Sequence, residues 1–227
     1  MTNKQFEKVA EQFDRDVAEH AMTVLRDDDG VYRHIRFTRP DTRNMYFDLV
    51  TWPGYLCFCG DMGEYVFSRL EDMFEFFRKD GGISYDYWAE KCRAGDKSHS
   101  ARGEGNGITQ FSEELFKEAV EEDFKSWRET NAGLLEEDPE FLEEIRERLN
   151  DDVLSCSNEG MIRAYDAAAG FTVMAENIFT DFWEHDCEDY TFHFIWCCHA
   201  IRWGVARYDA WRRFERDKAA DKALKEE

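Results

Sequence analysis

The densest group of potential metal-binding side chains lies between residues 185 and 199. It consists of His185, Cys187, His193, Cys197, Cys198 and His199. His193 and Cys197 stand four residues apart, so one helical face could present both to a single metal ion. The chain contains no C-x-x-C pair, however, and aromatic and apolar residues separate the members of the group, which is typical of buried core thiols and a core histidine. We therefore expect neither a metal nor a cofactor.

A second group could support nucleophilic catalysis. Cys57 or Cys59, with His34 from a neighbouring strand, would form a nucleophile and a base, and Asp61 would add a carboxylate. Thiols buried in strands are usually inert, and Asp is a common residue in tight turns. The chain has no G-x-S-x-G, H-E-x-x-H, P-loop or dinucleotide-binding glycine motif. A small enzyme with its pocket on the sheet is therefore the alternative function, and we assign no catalytic residue.

Basic residues follow the first predicted strand and the segment after it. They are Arg33, His34, Arg36, Arg39 and Arg43. Alternation along a strand places Arg33 on the side of Ile35 and Phe37, and Arg36 on the other side, so the arginines do not share one face. Two interpretations stay open: pairing with the chain's own carboxylates, or binding of a phosphate or carboxylate ligand. In the enzyme alternative, Arg33 and Arg36 form the basic edge of the pocket.

Negative charge is concentrated in one segment. The 227 residues contain 50 acidic and 29 basic side chains, a net charge of −21. Residues 111–191 alone contain 24 acidic and 6 basic side chains, a net charge of −18. The polar sides of two predicted helices in this segment form the expected partner-binding surface. Its residues are Glu118, Glu121, Glu122, Asp123, Glu136, Glu137, Asp138, Glu140, Glu143, Glu144, Glu147, Asp151 and Asp152.

This charge excludes some partners and favours others. Contacts to phosphate need clustered Lys and Arg, so we expect no direct binding to nucleic acid or to a membrane. A protein with a basic surface is favoured instead. Like charges four residues apart destabilise a helix by about 0.2–0.5 kcal/mol per pair, so helix stability does not explain their density. The surface either keeps the protein in solution or occupies a nucleic-acid-binding groove of another protein.

The elements that must position these residues predict an α+β fold. An amphipathic helix over residues 4–25 precedes four short runs rich in aromatic and β-branched residues, which predict a small antiparallel meander. The runs are residues 31–38, 45–52, 55–59 and 64–68. Pro53-Gly54 predicts a type II turn between the second and third of them. A covering helix is expected over residues 70–79.

From Phe111 onward the pattern predicts helices. Asp138-Pro139 is typical of a helix start, residues 171–182 are expected to be helical, and a last helix spans residues 190–225. The expected organisation has three parts: residues 1–92 with the helix and sheet, a glycine-rich mobile loop at 93–110, and the acidic helical region 111–227 packed on the first part as one globule.

Three segments carry a family resemblance. They are FDLVTWPGYLC at residues 47–57, GDMG at 60–63 and EDMFEFF at 71–77. They resemble a family of bacteriophage and prophage proteins of unassigned activity, and the similarity covers residues 31–92. The resemblance implies phage origin and carries over no catalytic residue. Combined with the acidic helices, it predicts a non-enzymatic inhibitor that binds a host defence protein as a nucleic-acid mimic.

The location of the protein follows from two features. The chain has no run of about 18 apolar residues that could cross a membrane, and its N-terminal segment is polar. We expect the protein to act in the cytoplasm of the host cell. Self-association as a homo-oligomer stays open at this point.

The first testable prediction concerns the seven cysteines. Their odd number and irregular spacing predict reduced thiols without bound metal. Elemental analysis of the purified protein should therefore find far less than one zinc ion per chain. A stoichiometric zinc content that survives extensive dialysis would contradict this prediction.

Overall fold

The computed structural model describes residues 3–78, 81–96 and 106–226 of the chain. These residues form two compact units. The second unit is residues 109–189, and the first unit consists of the remaining described residues. The fold class is α+β, as the sequence predicts. The two units are described separately below.

The first unit contains a six-stranded antiparallel sheet whose strands follow one another in chain order. Its strands are β1 (Ala21–Asp28), β2 (Tyr32–Thr38), β3 (Phe47–Trp52), β4 (Tyr55–Gly60), β5 (Gly63–Ser68) and β6 (Cys92–Gly95). The turn between β3 and β4 has Gly54 at φ +84°, a conformation that a type II turn requires and that glycine adopts without strain. The meander is therefore larger by two strands than the sequence predicts.

One of the additional strands replaces part of a predicted helix. The first helix ends at Asp16, and residues 21–28 are a strand, so the predicted helix over residues 4–25 is wrong in its last part. Met22 and Val24 are half-buried at alternate positions, opposite Phe37 and Ile35 of β2. Pairing with β2 satisfies the backbone along this segment, and this tertiary interaction overrides the local helical spacing.

Helices cover one side of the sheet. The α-helices of the described residues are α1 (Asn3–Asp16), α2 (Met73–Phe77), α3 (Tyr85–Lys91), α4 (Glu113–Thr130), α5 (Ala132–Glu137), α6 (Pro139–Asp152), α7 (Met161–Gly170) and α8 (Phe192–Glu226). Helices α1, α2, α3 and α8 belong to the first unit. The predicted last helix is thus confirmed as α8, which is buried in its first half and exposed after Tyr208.

The contact between α8 and the sheet is close and aromatic. Trp196 of α8 is fully buried and meets the rings of Phe13 and Phe47 edge-on, with centroids 5.1 and 5.9 Å apart. About two turns further along α8, a Cβ at Gly204 would lie 2.8 Å from Cδ1 of Leu49, so a larger residue at this point of close approach would displace buried side chains. The aromatic side of the meander is thereby removed from water.

The second unit is mostly helical. It contains α4 to α7, 3₁₀ helices at Leu154–Glu159 and Phe182–Glu184, and a core that includes Phe116, Ile145 and Leu149. Its short strands are β7 (Thr109–Phe111), β8 (Thr172–Val173), β9 (Glu176–Asn177) and β10 (Glu188–Tyr190), of which the last lies at the unit's end. The predicted start of α6 is confirmed, because Asp138 accepts a hydrogen bond of 3.1 Å from the Phe141 amide.

For this part of the chain, one prediction is wrong and another falls partly outside the described residues. Residues 171–182 are not a helix: β8 and β9 form a tight hairpin, with Met174 and Ala175 at positive φ. This hairpin buries Phe171 and Val173 without continuing α7. Of the expected mobile loop at 93–110, residues 97–105 lie outside the described residues, and the flanking residues 93–95 and 109–110 belong to β6 and β7.

No helix in the described part of the chain combines the length and the apolar character that crossing a membrane requires. This agrees with the absence of a long apolar run in the sequence.

A buried ion pair joins β2 to the start of α2. Arg33 is 5% exposed on the covered side of the sheet and donates to both carboxylate oxygens of Asp72, at 2.8 and 3.0 Å. Its guanidinium carbon lies 4.5 Å from the ring centre of Phe74 and 5.3 Å from that of Tyr208. Asp72 also accepts from the Phe74 amide as the N-cap of α2. Sheet, α2 and α8 therefore meet at this pair.

The second testable prediction concerns this pair. Asp72→Ala should lower the free energy of unfolding by about 3 kcal/mol, because it leaves a buried guanidinium without its carboxylate and removes a helix cap. Asp72→Asn keeps a capping oxygen and isolates the effect of the charge. Asp28→Ala is the control, since its pair with Arg26 is exposed and should contribute less than about 1 kcal/mol. Urea unfolding measures all three, and equal losses for Asp72→Ala and Asp28→Ala would contradict the prediction.

Candidate functional site

An unpaired acidic stripe runs along α6 in the second unit. It consists of Glu140, Glu143, Glu144, Glu147 and Asp151, which we call the α6 stripe. The 3.6-residue repeat of a helix places all five on one side, opposite the buried Ile145 and Leu149. All five are exposed, and none of the ion pairs found among the described residues of this unit involves them. None of the five therefore forms an ion pair there, although Glu143 lies close enough to Arg146 to help raise the pKa of its guanidinium.

Helix α4 carries a second, partly compensated set of acidic residues. Glu118 and Glu122 are exposed on the side opposite the buried Phe116 and Val120. Basic residues interrupt the negative charge of α4, and two of them form i,i+4 ion pairs. The α6 stripe is thus the denser of the two acidic surfaces.

Two carboxylates of the expected surface have partners within the unit. Glu121 accepts two hydrogen bonds from Arg146 of α6, at 2.7 and 2.8 Å, and these bonds raise the pKa of the Arg146 guanidinium. Asp123 lies 3.0 Å from Nε2 of His185. Both interactions join α4 to other parts of the second unit, so these two residues hold the helices in place rather than offering free charge.

The remaining members of the expected surface differ in their roles. Glu136 on α5 and Asp152 at the end of α6 are exposed, and Asp138 caps α6 through the Phe141 amide. The side chain of Glu137 lies outside the described residues. The predicted set therefore contains three kinds of carboxylate. Some are exposed and form no ion pair among the described residues, two hold α4 against other segments of the unit, and one caps α6.

The α6 stripe has the charge spacing of a nucleic-acid strand. Glu140 and Asp151 are separated by a helical rise of about 16 Å, at 1.5 Å per residue. The five carboxylates define four intervals over this length, about one charge per 4 Å, and one strand of B-DNA carries one phosphate per about 3.4 Å. A basic groove that accepts a DNA strand would meet a similar linear density of negative charge here.

The open side of the sheet in the first unit brings together several of the residues considered for catalysis. Nε2 of His34 lies 2.9 Å from Oδ2 of Asp48, and Arg36 donates to both oxygens of the same carboxylate, at 2.8 and 2.7 Å. Burial disfavours the ionised form of Asp48, but the hydrogen bonds from Arg36 and His34 outweigh it and hold its pKa below the usual range. Sequence reasoning missed Asp48, although a carboxylate inside an otherwise apolar strand is a usable signal.

Cys57 and Cys59 occupy the same open side, two residues apart on β4. In the sheet register, Cys57 is opposite Val50 and Cys59 is opposite Asp48. The thiol of Cys57 donates to the Phe58 carbonyl at 3.7 Å. The neighbouring Cys59 thiol lowers the pKa of Cys57, while the Cys57 thiol and burial together raise the pKa of Cys59. Cys57 is therefore the more easily ionised thiol of the two.

Two residues of the enzyme alternative lie elsewhere. Arg33 is on the covered side of the sheet, paired with Asp72, and Asp61 accepts a hydrogen bond of 2.8 Å from the Met45 amide in the turn before β5. The structure therefore gathers His34, Arg36 and the two thiols on one side, and it separates Arg33 and Asp61 from them.

The cysteines and histidines between residues 185 and 199 divide between the two units. Cys187 belongs to the second unit, whereas Cys197 and Cys198 are fully buried in α8, where burial raises the pKa of both thiols. His199 is 2.8 Å from the hydroxyl of Tyr85, and burial lowers its pKa. Within the described part of the chain, no three His, Cys, Asp or Glu side chains are arranged to hold a metal ion.

With the fold and these sites in view, comparison with protein-family models, with curated proteins and with solved structures returned no match.

The third testable prediction concerns the two thiols on β4. In the folded protein, iodoacetamide should label Cys57 before Cys59 and well before the buried Cys197, because the thiolate is the reacting form. Cys59→Ala removes the neighbouring thiol that lowers the Cys57 pKa, so the pH midpoint of Cys57 labelling should move upward. Cys92→Ala is the matched control and should leave that midpoint unchanged. Mass spectrometry of tryptic peptides measures the rates, and an unshifted midpoint in Cys59→Ala would refute the role of Cys59.

Proposed function

We propose that this chain is a non-enzymatic interaction protein that binds the basic, nucleic-acid-binding groove of another protein through the α6 stripe. The observation that carries the proposal is the row of five exposed carboxylates that form no ion pair among the described residues, at a charge spacing close to that of a DNA strand. Because the row is straight and lies on one side of a helix, all five charges can face one groove at once.

The internal ion pairs support this proposal. Glu121 with Arg146, and Asp123 with His185, fix α4 and the neighbouring segments relative to one another inside the second unit. A partner that binds the stripe therefore meets a largely preorganised surface and does not need to order it, which reduces the entropic cost of association. The same pairs separate structural carboxylates from free ones.

The proposed partner is a component of a host defence system. From the expected resemblance of residues 31–92 to phage and prophage proteins we infer that the chain acts in an infected bacterium, where defence nucleases carry basic grooves for nucleic acid. Occupation of such a groove by the α6 stripe would block access of the nucleic acid. Electrostatic attraction between the stripe and the groove would mainly accelerate association.

A second candidate function rests on the open side of the sheet. The hydrogen bond between His34 and Asp48, on the same side as Cys57 and Cys59, is the observation that favours a small enzyme with a thiol nucleophile. The two proposals separate cleanly, because Cys57→Ser would abolish a thiol-dependent activity and leave partner binding through the α6 stripe intact.

The fourth testable prediction concerns the α6 stripe. A Glu143→Lys, Glu144→Lys, Glu147→Lys variant should slow association with the partner by about tenfold or more and weaken its dependence on salt. The fold should survive, since these exposed positions face away from Ile145 and Leu149. Glu121 is left unchanged because it holds Arg146.

The control variant is Glu11→Lys, Glu215→Lys, Asp221→Lys, which changes the net charge equally at exposed positions of the first unit. Each protein is used to capture partners from a bacterial lysate, with and without competing duplex DNA, and association rates with the purified partner are then measured at two salt concentrations. Equal rates for the wild type and a well-folded stripe variant would refute the proposal.

A further inference from the structure

The segment between β2 and β3 is held by hydrogen bonds to its own backbone and to the next turn. The hydroxyl of Thr38 donates to the carbonyl of Thr42 at 3.0 Å, and the Met45 amide donates to Asp61 at 2.8 Å. Nε2 of His20 lies 2.9 Å from the Met45 carbonyl. This segment is therefore fixed at both ends, which is what a binding loop needs to present side chains in a defined arrangement.

A cleft of about 540 Å³ lies along this segment. It is lined by Arg36, Thr38, Arg39, Pro40, Asp41, Thr42, Arg43 and Tyr46. The volume falls within the range of about 300–1,000 Å³ that is usual for small-molecule sites. Three guanidinium groups and one carboxylate contribute to the lining.

The three arginines of the cleft are only partly committed to other groups. Arg36 uses Nε and Nη2 for Asp48. Arg39 lies 3.6 Å from Glu19, and both side chains are largely exposed, so this pair is weak. The guanidinium carbon of Arg43 lies 4.7 Å from the ring centre of Tyr46, and among the described residues no ion pair involves Arg43. Donors of at least Arg39 and Arg43 are thus available to a ligand.

The position of this positive charge in the molecule is unusual. Residues 31–46 contain four arginines and one acidic residue, in a chain of net charge −21. The long-range field of such a chain repels anions, so an anion binds only where short, directed contacts outweigh that repulsion. Planar guanidinium groups make such contacts to phosphate oxygens through paired hydrogen bonds.

We propose that the cleft between β2 and β3 is a binding site for a small molecule that carries a pyrophosphate group, such as a nucleoside diphosphate. Arg39 and Arg43, with the Nη1 of Arg36 that the bonds to Asp48 leave unused, offer more donors than one carboxylate can accept, whereas two linked phosphates provide enough oxygen atoms for all of them. The site lies in the first unit and is independent of the α6 stripe, so either proposal can fail without the other.

The experiment uses isothermal titration calorimetry of the full chain with ADP and with inorganic pyrophosphate, at low salt. Arg39→Gln, Arg43→Gln should weaken binding of both by about tenfold or more, since it removes two pairs of charge-assisted donors. Arg36 is left in place because Asp48 depends on it. The matched control is Arg213→Gln, Arg216→Gln, which removes the same charge from the exposed end of α8 and should change affinity less than about twofold.

One further variant and further anionic ligands test which chemical group the cleft recognises. Arg43→Lys keeps the positive charge but lacks the planar pair of N–H donors. Its affinity for the two phosphate probes should therefore lie between those of the wild type and of the double Gln variant. Binding of ADP that is lost in the cleft variant and kept in the control supports the proposal, provided that thermal melting shows both variants folded. Absence of binding by both phosphate probes, equal loss in the control, equal affinity for citrate, or preferential binding of a single-stranded oligonucleotide would each overturn it.

Discussion

Burial of the aromatic side of the meander beneath α8 is the interaction on which the first unit depends. Side chains alternate between the two sides of a strand, so burying Ile35, Phe37 and Leu49 places His34, Arg36 and Asp48 on the opposite side. A shift of one residue in any strand would exchange these sets and place charged groups beneath α8. The arrangement of the polar groups on the open side is thus a direct consequence of the apolar packing.

In the second unit, the dominant constraint is repulsion between the many like charges on its short helices. Two carboxylates are used within the unit, Glu121 with Arg146 and Asp123 with His185, and these attractions offset part of the repulsion. The α6 stripe has no such compensation among the described residues. A row of uncompensated charge costs helix stability. Its retention is the physical reason for regarding the stripe as a binding surface.

Predictions from the sequence succeeded where one local signal dominated. The strands around Pro53-Gly54 and the start of α6 at Asp138 follow from turn and capping chemistry that acts within a few residues. They failed where backbone pairing with the next segment of the chain decided the outcome. Residues 21–28 are a strand because they pair with β2, and residues 172–177 form a hairpin although the sequence around them suited a helix.

The sequence by itself determined the α+β class, the long last helix and the location of the excess negative charge, since these depend on periodicity and composition. The tertiary structure alone decided which charges are free. Whether Glu121 or Glu144 has a cation beside it depends on a helix that passes nearby in space, and the same holds for Arg33 and Arg43. Charge pairing acts over a few ångströms in space, irrespective of separation along the chain, so residue order alone does not reveal it.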